Sequence, residues 1–168
     1  MKWIVFIGFG LLSLLGIIAG IGYALPKQHV ASRHIELHQP PNQVYVLISG
    51  PSTWRKGVKK YEVLPDSDGK RWLEVDSYDN EVIYERIEDA PPRRLVTRIA
   101  SKLAYGGTWT YELTPTATGT DLRITENGEV YNPIFRFMSQ FVFGQAATIE
   151  KYLTETAQHF GETPNILP

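Results

Sequence analysis

The sequence contains no cysteine. A disulfide framework, a thiolate metal site and a cysteine nucleophile are therefore excluded together. Charge of one sign is not in excess either, because 17 Lys and Arg residues are balanced by 18 Asp and Glu residues and the formal net charge is −1. A protein that neutralises phosphates needs a basic surface, so we expect no nucleic-acid partner.

The sequence also lacks the common short motifs of catalysis. A phosphate-binding loop, a dinucleotide fingerprint beside a strand, an HExxH zinc motif and a GxSxG nucleophile elbow are all missing. We therefore predict no serine or metal hydrolase, and we assign no catalytic residue, cofactor or metal ion. His34, Glu36 and His38 alternate along one predicted strand and are zinc-ligating types, but no further ligand cluster accompanies them, so we interpret them as a solvated face.

The longest apolar run of the chain begins at Trp3 and ends at Leu25, without a charged residue. As a helix rising about 1.5 Å per residue, this run is about 35 Å long and can cross a bilayer. A cleaved signal peptide is the alternative, but its apolar region usually stops at about 7–15 residues. We therefore interpret residues 1–25 as a single-pass transmembrane anchor, with a small-residue face that permits self-association, formed by Gly16, Gly20 and Ala24.

Positive charges flank the anchor on both sides and leave its orientation open. Lys2 precedes the apolar run, whereas Lys27 and Arg33 follow it. We interpret the N-terminus as cytoplasmic and the soluble domain as lying outside the cytoplasm. A linker, 26–29, leads to one domain, 30–161, which is followed by a tail, 162–168, that we expect to fray.

Alternating apolar residues predict strands through most of the domain. A first strand over 31–38 is followed by a short helix that starts at Pro41. One helix of about 28 residues, with Asn132 as its N-cap and Gly161 as its stop, is predicted to cover the sheet. Between these helices, short turns that imply antiparallel neighbours separate six strands at 58–64, 70–76, 81–88, 95–100, 108–114 and 121–130.

Several residue groups occur in an order that is characteristic of one superfamily. They are Pro-Pro-Asn-Gln-Val-Tyr at 40–45, Trp54 with Gly-Val-Lys-Lys at 57–60, Pro-Pro-Arg-Arg-Leu at 91–95, Gly-Gly-Thr-Trp-Thr-Tyr-Glu-Leu at 106–113, Gly-Thr at 119–120 and Gly-Glu-Val-Tyr-Asn-Pro at 128–133. In this order, over about residues 30–160, the chain resembles the SRPBCC superfamily (START, ring-hydroxylase, polyketide cyclase and plant-pollen-allergen-like proteins), in its polyketide cyclase/dehydrase-like branch.

The resemblance implies an α+β helix-grip fold, in which a curved antiparallel sheet of about seven strands wraps around a long C-terminal helix. Between the sheet and the helix it implies a cavity, which in relatives holds lipids, sterols, polyketides or other apolar molecules. A fold alone does not determine which ligand is bound, or whether a reaction follows.

Seven residues are candidates for the wall of such a cavity. Aromatic side chains with a polar tip suit an apolar pocket that orients its ligand, although plain core packing explains them equally well. Arg86 and Arg98 lie within predicted strands, where either a ligand headgroup or a cross-strand carboxylate would pair with them. The candidates for the wall are Trp72, Tyr84, Arg98, Trp109, Tyr111, Met138 and Phe141.

The start of the predicted long helix carries apolar residues at positions too varied for one stripe of about 100°. They are Phe135, Phe137, Met138, Phe141 and Phe143. Some of these side chains must point away from the sheet. We expect them either to be buried by neighbouring loops or to form a gate at a membrane interface.

Three functions stay open on the sequence. The first is a membrane-anchored binder or carrier of an apolar small molecule or lipid. The second is a cyclase- or dehydratase-type enzyme, in which one Tyr, Arg or Glu donates or takes protons. The strand glutamates that could do so lie more often on the wet face; they are Glu74, Glu81, Glu85, Glu126 and Glu129. The third is a structural or regulatory membrane protein whose cavity is filled by its own aromatic residues.

Overall fold

The structure is a computed structural model that describes residues 2–168 and begins with the apolar helix α1 (Lys2–Ala24). Its part from Phe6 to Ala24 is long and apolar enough, by length and composition, to span a membrane. Many of its large apolar side chains are exposed, which is favourable only where something other than this chain removes them from water. Gly16 and Gly20 have open space around them, and self-association through this face stays a prediction.

In the described chain, the domain after α1 contains eight strands, three further α-helices and two short 3-10 helices, Ser52–Trp54 and Pro65–Ser67. A π-helical turn at Ser139–Phe143 lies between the last two helices. In chain order the elements are β1 (Gln28–Leu37), α2 (Pro41–Ser49), β2 (Val58–Val63), β3 (Arg71–Asp76), β4 (Glu81–Ala90), β5 (Arg94–Ile99), β6 (Tyr105–Pro115), β7 (Thr120–Val130), α3 (Pro133–Met138), α4 (Ala147–His159) and β8 (Ile166–Leu167).

All eight strands form one curved antiparallel sheet in the order β2-β3-β4-β5-β6-β7-β1-β8. Strands β2 to β7 are neighbours both in the chain and in the sheet, as their short turns predict. The first strand returns to the far side, where β1 pairs with β7 from Gln28 opposite Glu129 to Leu37 opposite Thr120. This α+β architecture is the predicted helix-grip fold.

The core lies between the concave face of the sheet and the helices α2 and α4. Strand alternation brings Ile35 of β1 and Leu122 of β7 to that face, where both are fully buried. Burying a large aliphatic side chain stabilises a fold by about 1.5–3 kcal/mol. The packing of α4 against these two residues therefore sets the position of the helix on the sheet. From α4 the buried side at helical spacing consists of Ile149, Tyr152, Leu153, Thr156 and Ala157.

The predicted single C-terminal helix is wrong in its continuity. It begins as predicted, because the Asn132 side chain accepts hydrogen bonds from the first amides of α3. After the π-helical turn it stops at Gly144, whose φ of 82° and ψ of 142° are not helical. Glycine adopts a positive φ without steric cost, so the chain breaks at this residue and resumes as α4.

The two ends of the domain are more regular than predicted. The tail expected to fray contains β8, which pairs with β1 at Ile35 and His34. Without β8, the outer side of β1 would present unpaired backbone groups, so this short strand satisfies part of the edge. β1 itself begins at Gln28, inside the segment predicted to be a linker.

The end of α1 is attached to the start of α3. Gly22 is buried there, and a Cβ atom at this position would collide with the carbonyl of Pro133. Arg136 is 6% exposed, and its Nη1 donates to the Leu25 carbonyl at 2.9 Å while its Nη2 donates to the Tyr131 carbonyl at 3.1 Å. Because carbonyls at a helix C-terminus lack partners within the helix, a guanidinium there satisfies them and stabilises the helix dipole.

We predict that Gly144→Ala destabilises the protein by about 1–3 kcal/mol, because the backbone there adopts a conformation that is strained for L-residues. No described atom lies within 4 Å of the added Cβ, so the loss comes from backbone conformation alone. Urea unfolding of the full-length protein, followed by circular dichroism, measures it. Gly161→Ala is the matched positive control, because Gly161 also has a positive φ, of 73°, and equally open surroundings; it should lose stability for the same reason. A loss at Gly161 without a loss at Gly144 would mean that the helix continues through Gly144.

Candidate ligand-binding site

A cavity of about 490 Å³ lies between the concave face of the sheet and the segment that runs from α3 to α4. Known small-molecule sites have volumes of about 300–1,000 Å³, so the space is sufficient for one ligand. Thr148 and Tyr152 of α4 line this cavity, and Tyr152 also belongs to the core, together with Ile149 and Leu153 of the same helix. One helix therefore forms part of the cavity wall and part of the core.

Four predicted candidates, Trp72, Tyr84, Trp109 and Tyr111, line this cavity together. Trp72 lies opposite Tyr84 across β3 and β4, and their rings stack with centroids 5.6 Å apart. Trp109 and Tyr111 are two residues apart on β6 and share a face. The Tyr152 ring contacts both, with centroid distances of 5.7 Å. The aromatic residues thus support one another around the space.

Glu74 is 8% exposed and is the acceptor at the centre of a polar cluster in the wall. Ser52 Oγ donates to it at 2.6 Å, Trp72 Nε1 at 3.1 Å and Arg55 Nη1 at 3.4 Å. Arg55 Nε also lies 3.8 Å from Glu155. A buried carboxylate is costly unless it is paired and hydrogen-bonded, and these contacts provide both. The cluster therefore satisfies its charges within the protein.

Three tyrosine hydroxyls of the wall stay protonated at neutral pH. Burial raises the pKa of Tyr84, Tyr111 and Tyr152 above the ordinary tyrosine value. The nearby charge of Glu74 raises these pKa values further, and that of Arg55 offsets part of the rise. A neutral phenol both donates and accepts hydrogen bonds. These side chains therefore add polar tips, but no charge, to the aromatic wall.

A second polar pair, His29 and Glu126, lines the cavity on β1 and β7. His29 Nε2 lies 3.8 Å from Glu126 Oε1, which is too long for a hydrogen bond. Burial lowers the pKa of His29; burial also raises the pKa of Glu126, and a hydrogen bond with Trp109 offsets part of that rise. Both shifts favour the uncharged form. Gly128 leaves room for the pair, since a Cβ there would collide with the His29 ring.

The structure places the charge of Arg98, another predicted candidate, on the outer face of the sheet. The residue borders the cavity, but its Nη2 lies 2.6 Å from Glu85 and the side chain is 52% exposed. Thr97 and Arg86, opposite each other across β5 and β4, both line the cavity instead. Because successive strand residues alternate in direction, Arg98 and its partner Glu85 face the other way.

Two further predicted candidates, Met138 and Phe141, are not among the described residues that line this cavity. Phe141 is 58% exposed and its ring packs against Phe137, with centroids 5.0 Å apart. The prediction assumed one continuous helix, whereas the π-helical turn and the break at Gly144 change the phase of the apolar residues. In this segment the residues that line the cavity before the break are Phe135, Ser139 and Phe143.

Several wall residues carry no signal in the sequence. Arg55 lies in a turn, Tyr152 is one of several apolar residues at helical spacing, and His29 falls in the predicted linker. Glu74 does have a signal, because it follows Trp72 by two residues on one strand and therefore shares its face. Only tertiary packing shows that these residues meet.

Of the three residues of zinc-ligating type, His34 and Glu36 lie on β1 and His38 follows it directly; all three lie apart from the cavity wall, and each has its own partner. Asp121 lies 2.5 Å from the His34 ring, Thr118 donates to Glu36 at 2.8 Å, and Glu162 lies 2.9 Å from the His38 ring. Among the described residues, no group of three or more His, Cys, Asp or Glu side chains has metal-binding geometry. These side chains therefore form pairs along the strand and its ends.

One side of the cavity is bordered by exposed apolar residues. Phe143 is 66% exposed and Phe135 is 53% exposed, and both also line the cavity. Neighbouring loops therefore do not bury these two rings. Contiguous exposed apolar surface of this kind marks an interaction site in many proteins. We name the set of Ile134, Phe135, Phe141, Val142 and Phe143 the apolar rim.

Residues 28–161 match the family described as polyketide cyclase / dehydrase and lipid transport. The chain belongs to this family. The predicted relationship to the SRPBCC superfamily and its polyketide cyclase-like branch is therefore confirmed. No match to a curated protein was found.

Solved structures share the fold at low sequence identity. A conserved protein from Geobacillus kaustophilus is 16% identical, with a TM-score of 0.66 over 83% of this chain and 100% of the other. A START superfamily protein from Mycobacterium smegmatis is 13% identical, with a TM-score of 0.62 over 78% and 96% of the two chains. A protein from Mesorhizobium loti is 18% identical, with a TM-score of 0.61 over 79% and 97%. Family and fold together indicate binding of hydrophobic ligands.

We predict that Glu74→Leu destabilises the full-length protein by about 1–3 kcal/mol, because Ser52, Trp72 and Arg55 lose their common acceptor. Glu85→Leu is the matched control, since Glu85 lies on the outer face and pairs with the exposed Arg98. That substitution should change stability by less than about 1 kcal/mol. Urea unfolding compares the two variants, and equal losses would contradict a buried cluster at Glu74.

Proposed function

We propose that this protein binds an apolar small molecule or lipid in its cavity and exchanges it with the bilayer that holds α1. One observation carries the proposal: Phe135 and Phe143 belong both to the cavity wall and to the exposed apolar rim, on a segment attached to the end of α1. A ligand dissolved in the bilayer would then reach the cavity without crossing water.

The contact between α1 and α3 supports this arrangement. Arg136 is flanked in sequence by two phenylalanines and binds the carbonyls of Tyr23 and Leu25 at 3.5 and 2.9 Å. If α1 crosses a bilayer, its C-terminal end lies at the bilayer surface, and α3 lies there with it. Aromatic and aliphatic side chains are favoured at this depth, where water and hydrocarbon meet.

A cyclase- or dehydratase-type reaction is the second candidate, and the His29 and Glu126 pair favours it. An uncharged imidazole and a carboxyl group of raised pKa are suited to taking and giving protons near neutral pH. A purely structural role with a filled cavity fits less well with an open volume of about 490 Å³. Turnover, rather than binding, would distinguish the enzyme from the carrier.

We expect native mass spectrometry of the full-length protein, released from detergent, to show a stoichiometric apolar adduct. The reason is that an aromatic cavity of this size gains free energy when an apolar molecule displaces its water. The total lipid extract of the same membranes is the control. Adducts that only mirror the abundance of lipids in that extract would contradict selective binding in the cavity.

We predict that the double variant Phe135→Ser and Phe143→Ser slows ligand transfer from vesicles by at least about fivefold, because the rim loses apolar surface that the bilayer interface would bury. The full-length protein, with Trp3→Phe to remove the tryptophan of α1, is placed in phosphatidylcholine nanodiscs and mixed with vesicles that contain 12-bromododecan-1-ol. Quenching of the remaining tryptophans by bromine reports arrival in the cavity.

Tyr78→Ser is the control for the rim, because Tyr78 is an exposed aromatic residue in the turn between β3 and β4, away from the rim. It should leave the transfer rate unchanged. A double rim variant that melts at the usual temperature and still takes up the probe at the usual rate would contradict entry through the rim.

A further inference from the structure

We propose that the cavity selects uncharged ligands, and that His29 and Glu126 receive the hydroxyl or another uncharged oxygen group of the ligand. The inference rests on the proposed function, because it names the class of ligand for the same cavity. It follows from the charges of the wall and from the partners that each charge already has.

The two guanidinium groups that face the cavity are already neutralised. Arg55 lies 3.4 Å from Glu74 and 3.8 Å from Glu155. Arg86 lies 2.8 Å from Asp89. An anionic headgroup would have to displace one of these carboxylates or lie beside it, and both arrangements cost free energy where little water is present to screen the charges.

Glu126 adds an acidic group to the wall without adding a cation. Its side chain is 18% exposed, and among the described residues no Lys or Arg lies within 4.0 Å of it. His29 does lie within that distance, and its pKa is lowered by burial. A ligand carboxylate or phosphate at this position would therefore face a second acid, with no positive charge between them.

The same pair matches the hydrogen-bonding properties of a hydroxyl group. A neutral imidazole offers one donor and one acceptor, and a carboxyl group accepts in either protonation state. A ligand oxygen placed between His29 Nε2 and Glu126 Oε1 would bridge a gap of 3.8 Å that is too long for a direct bond. Trp109 lies directly across from Glu126 on β6, so its ring is in position to cover the apolar part next to that oxygen.

The test compares two probes that differ only in their headgroup, 12-bromododecan-1-ol and 12-bromododecanoate. Both are titrated into the full-length Trp3→Phe protein in phosphatidylcholine nanodiscs at about pH 9, where the free carboxylate is ionised, and both affinities are corrected for partition into the bilayer. We expect the alcohol to quench tryptophan fluorescence with a half-saturating concentration at least tenfold lower than that of the carboxylate.

Substitution of Glu126 identifies the residue responsible for the selection. Glu126→Gln removes the acidic group, so the preference for the alcohol should fall at least threefold. Glu112→Gln on the neighbouring strand β6 is the matched control, because Glu112 is not among the residues that line the cavity and its carboxylate already pairs with Arg94 at 2.6 Å. This control should leave the preference unchanged.

Each outcome decides a separate claim. Equal affinities, or tighter binding of the carboxylate, would overturn the selection of uncharged ligands and leave the binding function intact. A preference that survives in Glu126→Gln would overturn the role of Glu126, and stronger displacement of the probe by dodecylamine than by dodecanol would replace the uncharged class with a cationic one. Absence of saturable quenching by either probe, in folded protein, would instead overturn the proposed function.

Discussion

The packing of α4 against β1 and β7 is the contact on which the rest of the structure depends. Ile149 and Leu153 meet Ile35 and Leu122 in a fully buried core. Because protein interiors are close-packed, α4 cannot shift along the sheet without opening a void in that core. Tyr152, three residues after Ile149 on the same buried side of the helix, extends this packing to the cavity wall. The core that fixes the helix therefore also shapes the cavity.

The cavity stays open because its large side chains are held by one another and by hydrogen bonds. Trp72 stacks on Tyr84 and also donates to Glu74, so a collapse of the indole into the space would break a buried contact. Tyr152 is held in the same way between Trp109 and Trp54. A wall of this kind combines apolar area with fixed polar tips.

Arg136 gives the proposed exchange with a bilayer a defined geometry. A flexible link between α1 and the domain would let the apolar rim sample every orientation relative to a membrane. The buried guanidinium instead joins the last carbonyls of α1 to the segment that carries the rim. A buried charge held by carbonyl groups costs free energy when one partner is removed, so the joint resists opening.

The sequence by itself determined the order of the elements and the residues that share a strand face, because period-two alternation and turn chemistry act over a few residues. It placed Trp109 and Tyr111 on one face and showed that the run from Trp3 to Leu25 has the length of a membrane span. Only the tertiary structure decided which face is concave, and with it that Arg86 rather than Arg98 points inward. It also decided the break at Gly144, because apolar residues continue on both sides and the positive φ leaves no mark in their spacing. The meeting of Arg55 with Glu74, 19 residues apart, depends on packing across the fold, which no local pattern contains.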